Sequence, residues 1–97
     1  MEKEEALKFL NLGIIEYKKK NFDLSTEHFK KAEKLFPNNI GILENLALSL
    51  YNQNKFIESI NFLKKAINEE GNNQKAFDLL QKIYKELNEK KNLNKLF

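Results

Sequence analysis

The chain contains no cysteine, which excludes disulfide bonds, thiolate metal sites and cysteine nucleophiles. Arginine is also absent, so all 17 cationic side chains are lysines, and the net charge is only +3. Nucleic-acid-binding domains concentrate positive charge on one face and use arginine for bidentate contacts to phosphates and bases. The composition therefore argues against nucleic acid as the partner.

Proline and glycine are scarce, with one and three residues respectively, which argues against a loop-rich or disordered chain. The hydrophobic share of 41% includes eight phenylalanines and three tyrosines, enough for one packed core in a chain of 97 residues. The N-terminus is acidic, and Asn11 interrupts the apolar run between Phe9 and Ile15. Because this pattern fits neither a signal peptide nor a membrane span, we expect a cytoplasmic protein without a membrane partner.

The chain repeats itself with a period of 34 residues. Residues 6–39 align with residues 40–73 without a gap, and the same register continues into residues 74–97. A period of this length is typical of solenoid proteins. The identical pairs are Asn11/Asn45, Leu12/Leu46, Tyr17/Tyr51, Phe22/Phe56, Ser25/Ser59, Lys30/Lys64, Lys31/Lys65, Ala32/Ala66, Asn38/Asn72 and Asn39/Asn73.

Within each copy the apolar residues recur at helical spacing in two segments separated by a short polar stretch, which predicts two antiparallel helices per copy. The buried face is expected to carry Phe9, Leu12, Ile15, Phe22, Ser25, Phe29 and Ala32 in the first copy, and Leu43, Leu46, Leu50, Phe56, Ser59, Leu63 and Ala66 in the second. Small residues at Gly13 and Ala47 are expected where paired helices cross closely.

The residues between these segments predict where helices begin and end. Pro37 should end the second helix at Phe36, with Asn39 as the next N-cap. Gly71 should end the fourth helix in the same way, with Asn72 and Asn73 both placed to cap the fifth. Asn54 and Asn88 fall where the chain should leave a helix in the left-handed conformation, and Lys20 holds that position in the first copy.

These intervals resemble the tetratricopeptide repeat family, whose pattern is a large residue, Leu-Gly, Tyr, then alternating aromatic and Ala positions and a Pro. The first copy matches with Phe9, Leu12, Gly13, Phe22, Ser25, Phe29, Ala32 and Pro37. The second matches with Leu43, Leu46, Ala47, Leu50, Phe56, Ser59, Leu63 and Ala66, and has Gly71 in place of the proline. The family's Tyr position is held by Glu16, with Tyr17 one place later.

The resemblance implies an all-α fold in which antiparallel helix pairs stack as a right-handed α-solenoid. We expect one domain over residues 1–97, with repeat one at 6–39, repeat two at 40–73 and a partial or capping repeat at 74–97. In the third copy Gln81 replaces the small residue and Lys90 the aromatic. About five long helices are therefore expected, plus a short C-terminal one in which Leu93, Leu96 and Phe97 form an apolar turn, unless the array continues beyond this sequence.

In similar proteins the first helices line a concave groove that receives a peptide or a helix of a partner protein. Carried onto this register, the resemblance implies a largely apolar groove and a protein-interaction scaffold. The predicted groove residues are Leu7, Leu10, Asn11, Ile14, Tyr17, Glu44, Asn45, Leu48, Tyr51, Asn52, Lys75 and Lys82. In the alternative interpretation, Leu7, Leu10 and Ile14 pack on a neighbouring repeat or on a second copy of the chain.

The family's clamp for the C-terminal carboxylate of heat-shock chaperones uses lysines and asparagines from three helices. Asn45 and Lys75 match that set, but Leu10, Ile14 and Leu79 replace the other three polar residues. Because charge-assisted hydrogen bonds carry such recognition, we expect no binding of chaperone tails.

Two other functions remain open alternatives, an RNA-binding helical repeat and a self-associating subunit of a larger assembly, the latter being a possible homo-oligomer. The first needs cations along the groove, which is mostly neutral in the first two copies. No catalytic constellation, cofactor motif or metal-ligand spacing is present, so we expect neither an enzyme nor a cofactor or metal requirement. His28 stands alone and is expected to be an ordinary helix residue.

Overall fold

A computed structural model describes residues 1–96, with side chains described as far as Lys90. This part of the chain forms five α-helices: α1 (Glu2–Lys18), α2 (Phe22–Leu35), α3 (Ile40–Asn52), α4 (Phe56–Glu69) and α5 (Gln74–Leu96). Each helix packs on its neighbours in sequence, and the first helices also touch, α1 with α3 and α3 with α5. The all-α prediction is therefore confirmed for the described residues.

The predicted helix boundaries around the turns are largely confirmed. The second helix ends at Leu35, and the side-chain oxygen of Asn39 accepts a hydrogen bond of 3.0 Å from the amide of Ile42. Asn73 caps α5 in the same way through the amide of Ala76, at 3.1 Å. These caps satisfy amides that a helix N-terminus leaves without an intrahelical partner.

Asn54 leaves α3 with a φ of 61°, as predicted, and Lys20 leaves α1 with a φ of 64°. Asn38 also has a positive φ, of 63°, which the sequence did not predict. Asparagine tolerates a positive φ better than lysine does, so the backbone is more strained at Lys20 than at Asn38 or Asn54.

The predicted exit at Asn88 is wrong, and so is the separate short C-terminal helix, because α5 continues without a break to Leu96. Good helix formers surround Asn88, and Lys90 occupies the position at which Phe22 and Phe56 begin α2 and α4. With no aromatic residue to draw the chain back into the core, the helix continues. Lys90 places its ammonium 4.9 Å from the centre of the Phe56 ring. The predicted apolar turn of Leu93, Leu96 and Phe97 lies outside the described side chains.

Small residues on the first helix of each pair leave room for a large side chain of the second helix. A Cβ atom added to Gly13 would lie only 2.4 Å from Cε1 of Phe29, so the ring occupies the space that glycine leaves open. The second pair solves the same packing problem with Ala47 and the smaller Leu63, both fully buried. Ser25 donates a 2.7 Å hydrogen bond to the carbonyl of Gly13, which joins the crossing helices.

The two contacts between successive pairs have different chemistry. Between α2 and α3, Thr26 shares a hydrogen bond of 2.6 Å with Ser49 and donates one of 2.7 Å to Gln53. Between α4 and α5, the residues 34 places later are Ile60, Ile83 and Leu87, which belong to one apolar cluster. The first contact is therefore polar and directional, and the second depends on apolar burial.

Ile15 was predicted to be buried, but it is 49% exposed. Its counterparts 34 and 68 residues later, Ser49 and Ile83, are fully buried against the second helix of the preceding pair. Among the described residues no helix packs on this side of α1, so the same helical position faces solvent at Ile15. The error arose because helical periodicity identifies a face of a helix but not whether a neighbour covers that face.

Candidate partner-binding face

The twelve predicted groove residues lie on α1, α3 and α5, and the structure brings several of them into contact. Glu44, Leu48, Lys75 and Lys82 line one cavity. Tyr51 lies beneath the ammonium of Lys82, 5.2 Å from its ring centre. We call the surface formed by the twelve residues the first-helix face.

The α1 end of the first-helix face is largely filled by the protein itself. Leu10 and Ile14 are half-buried and pack against a cluster of Phe29, Leu46 and Leu50. The structure therefore follows the alternative in which these two side chains pack on the second repeat. Leu7 remains 42% exposed, so the continuous apolar strip expected along α1 is reduced to that one large side chain.

Hydrogen bonds connect the tyrosines to the next first helix along the array. The side-chain amide of Asn52 donates a bond of 2.9 Å to the hydroxyl of Tyr17, and the hydroxyl of Tyr51 donates one to a carboxylate oxygen of Glu86. The two residues of each pair are 35 positions apart, so the same pair of helical positions is bonded in both contacts. The tyrosine accepts the bond in the first contact and donates it in the second. Glu86 was not among the predicted residues, although its position 34 residues after Asn52 could have identified it.

The hydrogen bond from Tyr51 to Glu86 raises the pKa of the Tyr51 hydroxyl to about 12. Burial and the negative charge of the carboxylate contribute to the same shift, but less. Ionising Tyr51 would remove the donated proton and place two negative charges side by side. The Tyr51 hydroxyl therefore stays protonated, and can donate its hydrogen bond, at pH values well above about 10, the ordinary pKa of tyrosine.

The predicted asparagines differ in their surroundings. Asn45 uses its side-chain NH2 group for a 2.8 Å bond to the carbonyl of Gly41 on its own helix. Asn52 makes a similar bond of 2.9 Å to the carbonyl of Leu48, in addition to the bond to Tyr17. Asn11 is exposed on α1. Asn52 therefore uses both of its side-chain N–H donors within the fold, and Asn45 uses one of its two.

A cavity of about 390 Å³ opens between α3, α4 and α5. Its walls are apolar and come from Leu48, Leu63, Ala76 and Leu79. Its rim is charged, with Glu44 on α3 and Lys75, Asp78 and Lys82 on α5. We call this cavity the α3–α5 pocket. The sequence placed Leu48, Lys75 and Lys82 in the groove, but it did not identify Leu63 and Ala76 as walls.

The charged groups on the rim of the α3–α5 pocket are not equally engaged. A carboxylate oxygen of Glu44 accepts a bond of 3.1 Å from Asn73, and one of Asp78 accepts a bond of 2.7 Å from Gln74. Among the side chains described, Lys75 and Lys82 form no ion pair within 4.0 Å. The rim therefore carries two cations and two carboxylates, and each carboxylate accepts one hydrogen bond from a neutral side-chain amide.

A second, wider cleft of about 810 Å³ lies at the turns that join α1 to α2 and α3 to α4. It contains the polar network of Thr26 and Gln53, which continues to Asp23. Lys20, Lys30 and Lys55 border it together with the acids Asp23 and Glu27. This mixture of charges favours no particular ligand.

Within residues 1–90, no three side chains of the His, Asp and Glu types lie close enough together to hold a metal ion. His28 stacks on Phe9 with a ring separation of 6.2 Å, and its Nδ1 atom is buried without a hydrogen-bond partner. None of the described helices has the length and apolar character needed to cross a membrane.

The chain is similar to part of a longer protein of known name. Over 64 residues, 66% of its length, the chain is 34% identical to Stress-induced-phosphoprotein 1 of Caenorhabditis elegans. The aligned region is only 20% of that protein, so the chain spans about a fifth of the length of this relative. No family model matches the chain. The comparison thus indicates kinship with a small part of a larger protein.

Proposed function

We propose that the chain is a protein-interaction module of the tetratricopeptide repeat type, which binds a peptide segment or helix of a partner protein on its first-helix face. Under this proposal residues 1–97 act as one unit, with helix-pair repeats at 6–39 and 40–73 and a terminal partial repeat at 74–97. The similarity to part of Stress-induced-phosphoprotein 1 supports the family assignment. We further propose that the protein works in the cytoplasm by binding and not by catalysis.

The observation that carries this proposal is the α3–α5 pocket. It is an apolar cavity with a few charged groups around its mouth, the usual character of a ligand site. It lies on the face where four of the twelve predicted groove residues meet. Tyrosine hydrogen bonds connect α1 with α3 and α3 with α5 across this face, and a preformed face loses less entropy on binding than one that must be ordered.

Charge on the first-helix face disfavours the RNA alternative. Lys75 and Lys82 are balanced locally by Glu44 and Asp78, and Glu86 adds a further negative charge nearby. A groove that follows a phosphate backbone needs an excess of cations along its length. We expect filter binding to single-stranded RNA to be weak at low salt and absent at physiological salt.

The clamp for chaperone tails is also disfavoured at this face. Leu79, which stands where that clamp would need a cation, lines the α3–α5 pocket as an apolar wall. Leu10 and Ile14 are packed on the core and offer no polar groups. We expect a chaperone C-terminal peptide to bind at millimolar affinity or weaker in titration calorimetry, and micromolar binding would contradict this.

A selection experiment tests the proposal directly. A phage-displayed library of random peptides is selected on the immobilised chain, and the recovered peptides are measured by fluorescence anisotropy. We expect Leu48→Lys to weaken their binding by about tenfold or more, because it places a charge in the apolar wall. The matched control is Ile57→Lys, on the outer surface of α4, where the native side chain is 67% exposed.

Circular dichroism must show that both variants remain folded. Peptides that bind the Leu48→Lys and Ile57→Lys variants equally well would refute the first-helix face as the binding site. So would a library that yields no peptide with a dissociation constant below about 1 mM.

A further inference from the structure

One face of α5 is not covered by any helix among the described residues. In the two complete pairs, each first helix packs on the second helix that follows it, α1 on α2 and α3 on α4. On α3 this face carries Leu43 and Ala47, which are fully buried in one apolar cluster with residues of α4. Leu50, further along the same face, is also fully buried. Within the described part of the chain, α5 contacts only α3 and α4, and no helix follows it.

The same face of α5 is largely apolar and exposed. The residues 34 places after those three positions of α3 are Phe77, Gln81 and Tyr84. Phe77 is 38% exposed and Tyr84 is 47% exposed, and Gln81 between them is exposed as well. Because these residues are four and three positions apart, they follow one another along one side of the helix. We call them the α5 stripe. Two exposed aromatic rings on one side of a helix are typical of an interface.

Two opposite charges border the α5 stripe on the same side. Asp78 precedes Gln81 by three residues, and Lys85 follows it by four. A separation of seven residues is almost two helical turns, so both side chains point to the same side of α5. Among the side chains described, neither residue forms an ion pair within 4.0 Å. The charge beside the stripe therefore changes sign at its centre.

This arrangement is complementary to itself when two copies of α5 lie antiparallel. If the twofold axis passes by Gln81, residues before Gln81 on one copy lie opposite residues after it on the other. Asp78 then lies opposite Lys85 of the second copy. Phe77 lies opposite Tyr84 of the second copy, and each pair is out of level by only one residue, or ~1.5 Å. A parallel pair would place like charges side by side, and these repel. The charges therefore favour an antiparallel second copy.

The centre of the α5 stripe also suits a second copy better than another helix of the α2 type. At the equivalent position of α1, Gly13 leaves room for the ring of Phe29, and an added Cβ atom would collide with that ring. Gln81 fills the corresponding room on α5 with a long polar side chain. At a twofold axis, the amide of Gln81 meets the same amide of the second copy. Each amide both donates and accepts hydrogen bonds, so the two satisfy each other.

We propose that the α5 stripe is the interface of a homodimer in which two copies of the chain pair their α5 helices antiparallel. Lys75 and Lys82 lie on the other side of α5, so the first-helix face of each copy remains open and the dimer presents two such faces. The paired length, from Gln74 to Asn88, is ~22 Å. One helix pair of this length buries less than the ~1,200 Å² of a standard interface, so we expect a weak dimer, with a dissociation constant between about 10 µM and 1 mM.

Sedimentation equilibrium of the full chain, from about 5 µM to 1 mM, measures this association. We expect the mean mass to rise with concentration towards that of two chains. Tyr84→Lys should weaken the association about tenfold or more, because it places a charge in the α5 stripe. Ile57→Lys is the matched control, since Ile57 is 67% exposed on α4, away from the stripe. Circular dichroism must show that both variants remain folded. No peptide is present, so the outcome is independent of the proposed function.

Exchange of charges tests the antiparallel arrangement. Asp78→Lys places two lysines opposite each other in both symmetric contacts, and Lys85→Asp places two aspartates there. Each variant alone should therefore associate about tenfold more weakly than wild type. An equimolar mixture of the two variants should restore the dimer, because every lysine then faces an aspartate. Raising the salt concentration should weaken the wild-type dimer, because exposed ion pairs are screened.

A single introduced cysteine tests the position of the axis. The chain has no cysteine of its own, so Gln81→Cys forms a disulfide only with a second copy. We expect mild oxidation to link this variant into dimers and to leave Ile57→Cys largely unlinked. Any of four results would overturn the proposal. They are a chain that stays monomeric at about 1 mM, an association that a folded Tyr84→Lys variant leaves unchanged, a charge-exchanged mixture that does not dimerise, and a Gln81→Cys variant that does not cross-link. A monomeric chain would mean that another protein or a further helix pair covers the α5 stripe.

Discussion

The contact between Gly13 and Phe29 allows a sharp test of how the first helix pair is packed. In Gly13→Ala, the new methyl group would lie 2.4 Å from Cε1 and 2.5 Å from Cδ1 of Phe29. The ring cannot move into solvent, because Phe29 is fully buried against Leu46 and Leu50. Either the ring or the helix crossing must shift.

The two opposing effects of this substitution can be compared. Overpacking of a core costs ~1–3 kcal/mol, whereas replacing a mid-helix glycine by alanine gains ~1 kcal/mol in helix propensity. We therefore expect a net loss of up to about 2 kcal/mol in the free energy of unfolding. Without the collision, the same substitution would stabilise the protein.

The second helix pair provides the rescue. Its equivalent residues are Ala47 and Leu63, so the double variant Gly13→Ala, Phe29→Leu transfers a packing arrangement that the protein already uses. Phe29→Leu alone should cost about 1 kcal/mol through the space it leaves. The double variant should lie close to wild type, because the new methyl group occupies part of that space.

Urea denaturation of the four proteins, followed by circular dichroism, measures this cycle. With slopes of ~1–3 kcal/mol per molar urea, a loss of 2 kcal/mol shifts the midpoint by about 1 M. We expect a favourable coupling of at least about 1 kcal/mol, above the ~0.5 kcal/mol error of additivity. Additive effects, or a Gly13→Ala variant about 1 kcal/mol more stable than wild type, would refute the collision. Ala47→Gly is the control and should lose about 1 kcal/mol.

Three further predictions concern hydrogen bonds and backbone strain. The raised pKa of Tyr51 means that its bond to Glu86 contributes stability below about pH 10, and that this contribution is lost as the pH rises towards about 12. Subtracting the ultraviolet titration of Tyr51→Phe from that of the wild type should reveal one phenol with a midpoint near 12, and a midpoint near 10 would contradict the bond. Asn39→Ala should cost about 1 kcal/mol through the lost cap. Asn73→Ala should cost more in the same urea assay, because it also removes the bond to Glu44, and equal losses would contradict that reasoning. Lys20→Gly should stabilise the chain by about 1 kcal/mol by relieving the positive φ, and an unchanged urea midpoint would show that the strain is negligible.

Features that depend on local chemistry were accessible from the sequence. The spacing of apolar residues predicted helices in pairs, and Asn39, Asn54 and Asn73 marked turns because their side chains cap helices or tolerate a positive φ. The failures occurred where a neighbour decided the outcome. Ile15 is exposed because no helix covers it, and Asn88 stays helical because no aromatic residue follows to fold the chain back.

The same distinction between local pattern and tertiary packing applies to the candidate site. The register, read with the resemblance to the tetratricopeptide repeat family, placed Glu44, Leu48, Lys75 and Lys82 on one face, since residues at equivalent positions of first helices share a direction. It did not indicate that Leu10 and Ile14 would pack against the core and be half-buried there. That outcome depends on the distance between α1 and α3, which side chains on both helices set together.

By itself the sequence determined that this protein is a stack of helix pairs, because periodicity, turn residues and small crossing residues act over a few neighbouring positions. Only the tertiary structure decided where that stack is open. The α3–α5 pocket exists because Ala76 and Leu63, thirteen residues apart on different helices, are both smaller than their counterparts and face the same space. Two small side chains far apart in sequence leave a cavity only if the packing of three helices brings Ala76 and Leu63 next to the same space.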